Sequence, residues 1–336
     1  MRAEVITTTD VWLLHRLCGG GFVTDAATAS RTALLDLDRA AWSPALLDVF
    51  GLTDEALPEV VACDRVVGET SVFGGVAVPV GGLVVDQQAA LFAESCLGPG
   101  DVKCTYGTGA FLLANAGTSA IRSTTGLAAC IAWLLDGDVC TYCLDGQVFT
   151  VGAAVRWLEE VGIISSAADL DLFGGRVGDA GGVTFVPALA GLGAPFWAPS
   201  ARGSFSGLSL GTGREHLVRA VIEGVAAQVA TLAHAVAADL DRPLERLRVD
   251  GGLTRSLTLM QVQADLLGIP VEVYPSPHAT ALGVAALAWR AIERTHSGFG
   301  WSPATVTEPR VSADEAAARL AAWRAAADHV ARPSAT

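Results

Sequence analysis

Apolar positions in the first fifty residues recur at helical spacing. Trp12, Leu13, Leu14 and Leu17 form one patch that ends at the glycine run Gly19 to Gly21, and Leu46, Leu47, Val49 and Phe50 form a second. From about residue 65 the pattern shortens to β-like pieces at Val76 to Val80, Leu83 to Val85, Val102 to Tyr106 and Phe111 to Ala114. Further strands are expected at Ala128 to Leu135 and Asp138 to Leu144. Beyond a Gly- and Pro-rich loop from Pro187 to Gly203, the spacing predicts a long helix over Arg214 to Leu240, with Leu217, Val221, Val225, Leu232 and Val236 on its core side. A strand at Leu247 to Val249 then runs into Asp250-Gly251-Gly252. A helix over Leu257 to Leu267, a strand at Val271 to Tyr274 and a helix over Ala279 to Ile292 follow. Ala313 to Val330 reads as a terminal helix, with Pro333 to Thr336 expected to fray. The order of strand, glycine turn, helix, strand and helix predicts an α/β domain built on a mixed sheet.

Composition narrows the function classes. A chain of 336 residues is long enough for about two domains of roughly 150 residues each. With 22 Lys and Arg against 35 Asp and Glu, the net charge of −13 argues against nucleic acid or an anionic membrane as a partner and for small molecules or proteins. The positive mean hydropathy is spread among Gly, Pro and charged residues. No apolar run reaches the roughly 18 residues that a membrane span requires, and MRAEVITTTDVWLL lacks the pattern of a secretory signal. A soluble, cytoplasmic protein is expected. Seven scattered cysteines do not resemble a disulfide framework. Cys140-Thr-Tyr-Cys143 admits a redox or half-zinc reading, but its alternation and the following Asp-Gly favour a strand, with no second CxxC and no nearby His. The six His show no metal spacing, so no protein-bound zinc is expected.

Candidate chemistry concentrates at glycine turns and one carboxylate. In Thr105-Tyr106-Gly107-Thr108-Gly109 the glycines permit close backbone approach and Thr108 offers a hydroxyl, both suited to phosphate oxygens. Gly152-Ala-Ala-Val-Arg156 opens a helix, and Asp250-Gly251-Gly252 leads into another, whose free N–H groups favour an anion or polar ligand. Taken singly, each is more often a tight turn. Neither a Walker P-loop nor a Rossmann fingerprint is present. Asp86, in VVDQQAAL, has the spacing of a helix N-cap, and spacing alone favours that role over chemistry. Phe196 and Trp197 in APFW read as loop packing.

The stretches VVDQQAALFAE, KCTYGTGAFLLANAG, FVPALAGLGAPFW, ARGSFSGLSLGTGREHLVRAVIEGVAAQ and RVDGGLTRSLTLMQVQADLLGIPVE closely resemble, in order, motifs of the FGGY carbohydrate kinases, in particular the glycerol kinase branch. TTTDVWLLHRLCGG and VTDAATASRTALLDLDRAAWSPALLDVFGL resemble the end of that family's first domain. The resemblance implies an actin-like ATPase, ribonuclease-H-like α/β fold in which ATP and a polyol meet between two lobes. Residues 1–75 would be a mostly helical remnant of the N-terminal lobe, and residues 76–332 the complete C-terminal, nucleotide-binding lobe. Phosphoryl transfer needs positioning, a metal ion and a base for the attacking hydroxyl. By motif match Asp86 is that base, Gln87 bonds a substrate hydroxyl and Phe111 packs on the polyol carbons. Gly107 and Thr108 contact the ATP phosphates, Gly152 and Arg156 fall at nucleotide positions, and Gly252 and Ser256 fall where the adenosine is held. Mg²⁺ would arrive with ATP, near Asp86. The sequence departs from the pattern at Arg156, where Gln is usual, at Ser256, where Asn is usual, and at Val85, where Gly precedes the catalytic Asp.

The family's opening strand, its phosphate-wrapping hairpin, and the Arg-Glu pair and Tyr that bind the polyol have no counterpart here. Two function classes follow. One is an ATP-dependent polyol kinase, forming sn-glycerol 3-phosphate or acting on another FGGY sugar or polyol such as a pentulose or tetritol. The other is a catalytically incomplete actin-like nucleotide-binding fragment or half of a split kinase. The expected protein partners are further copies of the chain, or a polypeptide that supplies the absent part of the first lobe.

Overall fold

The computed structural model describes residues 8–19, 21–137, 140–295 and 298–332. Its centre is a seven-stranded sheet formed by β1 (Val102–Tyr106), β2 (Ala110–Gly117), β3 (Ala128–Trp133), β4 (Thr141–Val148), β5 (Leu247–Asp250), β6 (Val271–Val273) and β7 (Thr305–Thr307). The strand order is β7-β6-β5-β1-β2-β4-β3. β5 runs parallel to both β1 and β6. The other pairs are antiparallel. The mixed sheet and its helices follow the sequence closely. Helices α1 (Asp86–Ala93), α2 (Gly152–Glu160), α3 (Arg214–Asp239), α4 (Leu257–Leu267), α5 (Ala279–Ile292) and α6 (Ala313–Ala331) frame it. The short helix Asp169–Gly174 has no counterpart in the expected pattern.

Register decides what each face of the sheet carries, because side chains alternate along a strand. Val249, Cys104, Leu112 and Gly146 stand opposite one another in one row. On this face α3 lies so close that a Cβ on Gly146 would meet Leu232 Cδ2 at 2.8 Å. Seventeen residues of α3 are buried. By length and composition α3 could cross a membrane, but 83% of its apolar window is buried inside the fold, as expected of a core helix. The opposite face holds two other rows, Arg248-Lys103-Leu113-Asp145 and Asp250-Thr105-Phe111-Gln147. Helices α1 and α5 cover it, crossing so tightly that a Cβ on Gly283 would meet the Ala89 carbonyl oxygen at 1.8 Å. Glycine is the residue that permits this backbone-to-backbone approach.

Residues 8–85 form smaller pieces. Helix Thr9–Cys18 ends on Gly19 in the left-handed conformation, with φ 69°, and the second apolar patch becomes helix Pro44–Val49, capped by Ser43. Strand Val23–Asp25 pairs in parallel with Glu59–Val61. Two expectations fail here. The strand expected over Val76 to Val80 shrinks to Val78–Val80, paired with Gly68–Thr70. Leu83 to Val85 forms no strand: the Leu83 N–H donates to the Cys63 carbonyl at 2.9 Å, outside any ladder, and Val85 is the extended N-cap residue of α1. A short apolar run cannot by itself distinguish a ladder from an extended lead-in to a helix. In the strand expected from Asp138, residues 138 and 139 lie outside the described residues, as do Gly20 of the first glycine run and the terminal Pro333 to Thr336; the strand itself runs Thr141–Val148. Cys140, just before the strand, packs against the main core cluster while Cys143 belongs to a second one, and all seven cysteines are free. Trp197 is largely exposed and donates to the Gly126 carbonyl at 2.7 Å, as a loop tryptophan.

Candidate active site

Three glycine turns converge at the carboxyl ends of β1 and β5, the end of an α/β sheet where ligands commonly bind. Gly107 to Gly109 make the tight turn between β1 and β2, with the Gly107 N–H donating to the Gly109 carbonyl at 2.8 Å. The start of α2 docks on this turn. The Gly152 N–H donates to the Gly107 carbonyl at 3.0 Å, while Val151 and Ala153 N–H both donate to the Thr108 carbonyl at 3.0 Å. A Cβ on Gly152 would meet that Gly107 oxygen at 2.6 Å, so the contact requires glycine. Gly251, at φ 97°, presses on the Tyr106 backbone, where a Cβ would meet the carbonyl oxygen at 2.4 Å. The structure therefore brings Gly107, Thr108, Gly152 and Gly252 together along one ridge. Thr108 and Gly252 are exposed at its surface, and the exposed Arg156 follows one turn into α2.

Beyond Gly252 lies a cavity of about 290 Å³ lined by Ala167, Ala168, Asp171, Gly252, Leu253, Arg255 and Ser256. Ser256 is not a free donor there. Its hydroxyl donates to Asp171 Oδ1 at 2.8 Å and accepts from the Leu259 N–H at 3.2 Å as the N-cap of α4. Burial pushes the Asp171 carboxyl up, but hydrogen bonds from Thr258 and Ser256 outweigh it and hold the group below the usual carboxylate range. A larger cavity of about 620 Å³, with Gln261, Thr307 and Arg310 in its wall, contains none of the expected site residues.

Asp86 occupies the first turn of α1 but does not cap it. The N-cap is Val85, which offers no side-chain bond. The exposed Asp86 carboxylate takes the Gln87 N–H at 2.8 Å on Oδ1 and Gln87 Nε2 at 3.2 Å on Oδ2. Gln87 Oε1 accepts from Lys103 Nζ at 2.5 Å, and the same ammonium donates to Thr105 Oγ1 at 2.7 Å. Thr105 lies opposite Phe111 and two residues before Gly107. One chain of hydrogen bonds thus joins Asp86 and Gln87 to Thr105, which is the register partner of Phe111 on the strand leading into the Gly107–Thr108 turn.

Sequence reasoning missed the buried charges beneath this chain. Lys103 and Glu94 are fully buried, and Arg248 and Asp250 flank Lys103 from β5. Neither carboxyl oxygen of Glu94 has a hydrogen-bond partner among the described residues, nor does Asp250 Oδ1. Burial, reinforced by the like charge of Asp250, pushes the Glu94 carboxyl well up, against the pull of Lys103 and Arg248. The signal was present in KCTYG, whose alternation puts Lys103 and Thr105 on one face. An inward lysine on a central strand requires a buried partner.

The C-terminal domain of the FGGY family of carbohydrate kinases matches residues 102–292, and the N-terminal domain of the same family matches residues 1–93. A glycerol kinase of Halorhodospira halophila is 44% identical over 326 residues, covering 95% of this chain and 64% of that protein. One from Carboxydothermus hydrogenoformans is 46% identical over 289 residues, covering 85% of this chain and 58% of that protein. The chain thus spans less than two thirds of the length of these curated relatives. A crystal structure of Plasmodium falciparum glycerol kinase with ADP superposes with a TM-score of 0.90 at 30% identity, covering 98% of this chain and 67% of that one.

Proposed function

Because this chain belongs to the FGGY family of carbohydrate kinases and has its actin-like ATPase fold, we propose that it takes part in ATP-dependent phosphorylation of a polyol, with glycerol as acceptor and sn-glycerol 3-phosphate as product. The observation that carries this reading is the hydrogen-bonded chain from Asp86 through Gln87 and Lys103 to Thr105, on the strand that runs directly into the Gly107–Thr108 turn. A carboxylate linked to the strand that carries a glycine turn can serve an attacking hydroxyl beside a transferring phosphoryl group. The 44% and 46% identity to glycerol kinases favours glycerol over other acceptors.

In this reading Asp86 accepts the proton of the polyol's terminal hydroxyl as its oxygen attacks the γ-phosphorus, and ADP leaves. Gln87 gives one Nε2–H to Asp86 and keeps the second for a substrate hydroxyl. Phe111 packs against the carbon chain. Amides and the Thr108 hydroxyl in the Gly107 turn hold phosphate oxygens, with Gly152 and the cationic Arg156 alongside, and the cavity bounded by Gly252 and Ser256 receives the adenosine. Mg²⁺ fits as a companion of the nucleotide. No group of three or more metal-ligating side chains exists among the described residues, so phosphate oxygens would share the ion with the exposed Asp86, where it would offset phosphate charge.

The test is ADP release with and without glycerol by this chain and its Asp86→Asn variant. Glycerol-dependent turnover lost in the variant is expected. Equal turnover in both removes Asp86 from the base role, and no turnover by the folded wild-type chain removes the activity from this chain.

A further inference from the structure

We propose that Lys103 is a positioning residue of the acceptor site, fixing which way the Gln87 carboxamide faces and thereby presenting a donor to Asp86 and to the substrate hydroxyl. This rests on the kinase reading above, which gives Asp86 and Gln87 their roles. An amide's oxygen and nitrogen ends are nearly the same shape, so packing alone does not choose between its two orientations. Chemistry does. An ammonium can only donate, and Lys103 Nζ stands 2.5 Å from the Gln87 side chain, so the end facing it must be Oε1. The NH₂ end then faces Asp86 Oδ2 at 3.2 Å. The reversed amide would set its oxygen against the Asp86 carboxylate and withdraw the donor from the substrate.

A buried ammonium carries a desolvation cost that an apolar residue would avoid. Here it lies on the polar face of β1, fully buried, with Thr105 Oγ1 at 2.7 Å and the carboxyl groups of Glu94 and Asp250 acting on the same buried region. Thr105 takes one of its donors, and another is given to Gln87. The cation therefore belongs to the sheet and acts through Gln87, without touching substrate.

The experiment is a double-mutant cycle on the full chain, using Lys103→Met and Gln87→Met, with kcat and KM measured for glycerol and for ATP. Lys103→Met is expected to lower kcat/KM for glycerol by roughly ten- to a hundredfold, the worth of one charge-assisted hydrogen bond, and to leave the KM for ATP within about twofold. In the Gln87→Met background the further loss should shrink to about twofold or less, since sites acting as a unit are not additive. An equal loss in both backgrounds overturns the proposal. Lys103→Met combined with Glu94→Gln, which removes both buried ionisable groups, replaces the single variant if that one fails to fold. Independently of turnover, the Gln87 Nε2 proton that faces Asp86, its ¹⁵N–¹H₂ signal identified by its disappearance in Gln87→Met, is expected to exchange slowly in the wild-type chain and faster in Lys103→Met. Exchange at the rate of a free amide overturns the proposal even where activity is present. Slow exchange in a chain without turnover sustains the positioning role while the kinase reading falls.

Discussion

On the α3 side of the central sheet the inward positions are Val249, Cys104, Leu112 and Gly146, closed over by a helix with seventeen buried residues. On the α1 side the same strands present Arg248, Lys103, Asp250, Thr105, Asp145 and Gln147 beside the apolar Leu113 and Phe111. One residue of register separates the two sets. Apolar burial on the first face supplies stability without direction, at roughly 25 cal/mol per Å² of apolar area. The second face gives up part of that gain to hold charges that are costly to bury, and there the contacts of the candidate site gather. The purely apolar core and the proposed chemistry thus lie on opposite sides of one sheet, although the α1 side keeps an apolar cluster of its own, and substitutions should separate them.

The largest expected effect is on the chemical side. Asp86→Asn should lower glycerol-dependent turnover by roughly 10²- to 10⁴-fold, the usual worth of a positioned general base. The thermal midpoint should stay within a degree or two, since the carboxylate is exposed and does not cap α1. A large fall in the midpoint would tie Asp86 to the fold. Leu232→Ala is the converse. It empties a fully buried site on α3 and should cost about 2–5 kcal/mol in urea unfolding, with kcat measured well below the transition unchanged. A comparable loss in kcat would show that the two faces are coupled.

Asp25 probes the cost of polar burial away from the proposed chemistry. It accepts the Ala27 N–H at 2.8 Å and the Thr28 N–H at 3.0 Å as the cap of helix Ala26–Ser30. Burial nonetheless raises its carboxyl from 3.8 to about 6, over the opposing hydrogen bonds from Thr28. Between those values the folded chain binds more protons than the unfolded one, so stability falls as pH rises through the window, by up to ~3 kcal/mol for this group. Urea unfolding from pH 4 to 7 should show that fall, and Asp25→Asn should flatten it while keeping an acceptor for the cap. A variant with the wild-type slope would assign the dependence to other carboxyls, Glu94 first.

The legibility of the sequence follows the same division. Strands β1, β2, β5 and β6 and helices α3 to α6 could be read because their periodicity records an apolar face. Asp86, Gln87, Gly107 and Thr108 could be named because motif and glycine chemistry are local. Lys103 was overlooked although the alternation in KCTYG puts it on an inward face, whereas Glu94 and Asp171 escaped because the groups they face are distant in sequence: Asp171 meets Ser256 across 85 positions. Local patterns also misread Leu83 to Val85, where an apolar run proved to be the extended approach to α1. Buried polar contacts of this kind become visible only once register is known.

Ser256 gives the smallest and sharpest of these tests, because two roles compete for one hydroxyl. As N-cap of α4 it accepts the Leu259 N–H at 3.2 Å, and it donates to Asp171 at 2.8 Å. As a wall of the 290 Å³ cavity it lies where the family resemblance expects adenosine. A hydroxyl already donating to Asp171 has no proton left for a nucleotide, so capping should dominate. Ser256→Ala should then cost about 1 kcal/mol of stability, the usual worth of a lost cap, and move the KM for ATP by less than about twofold. Ser256→Asn keeps a capping oxygen and adds an amide facing the cavity. It should recover most of that stability, and a lower KM for ATP in this variant alone would show that the cavity receives the nucleotide. If Ser256→Ala instead raises the KM for ATP about tenfold at unchanged stability, the hydroxyl belongs to the nucleotide, and the bond to Asp171 must break when ATP binds.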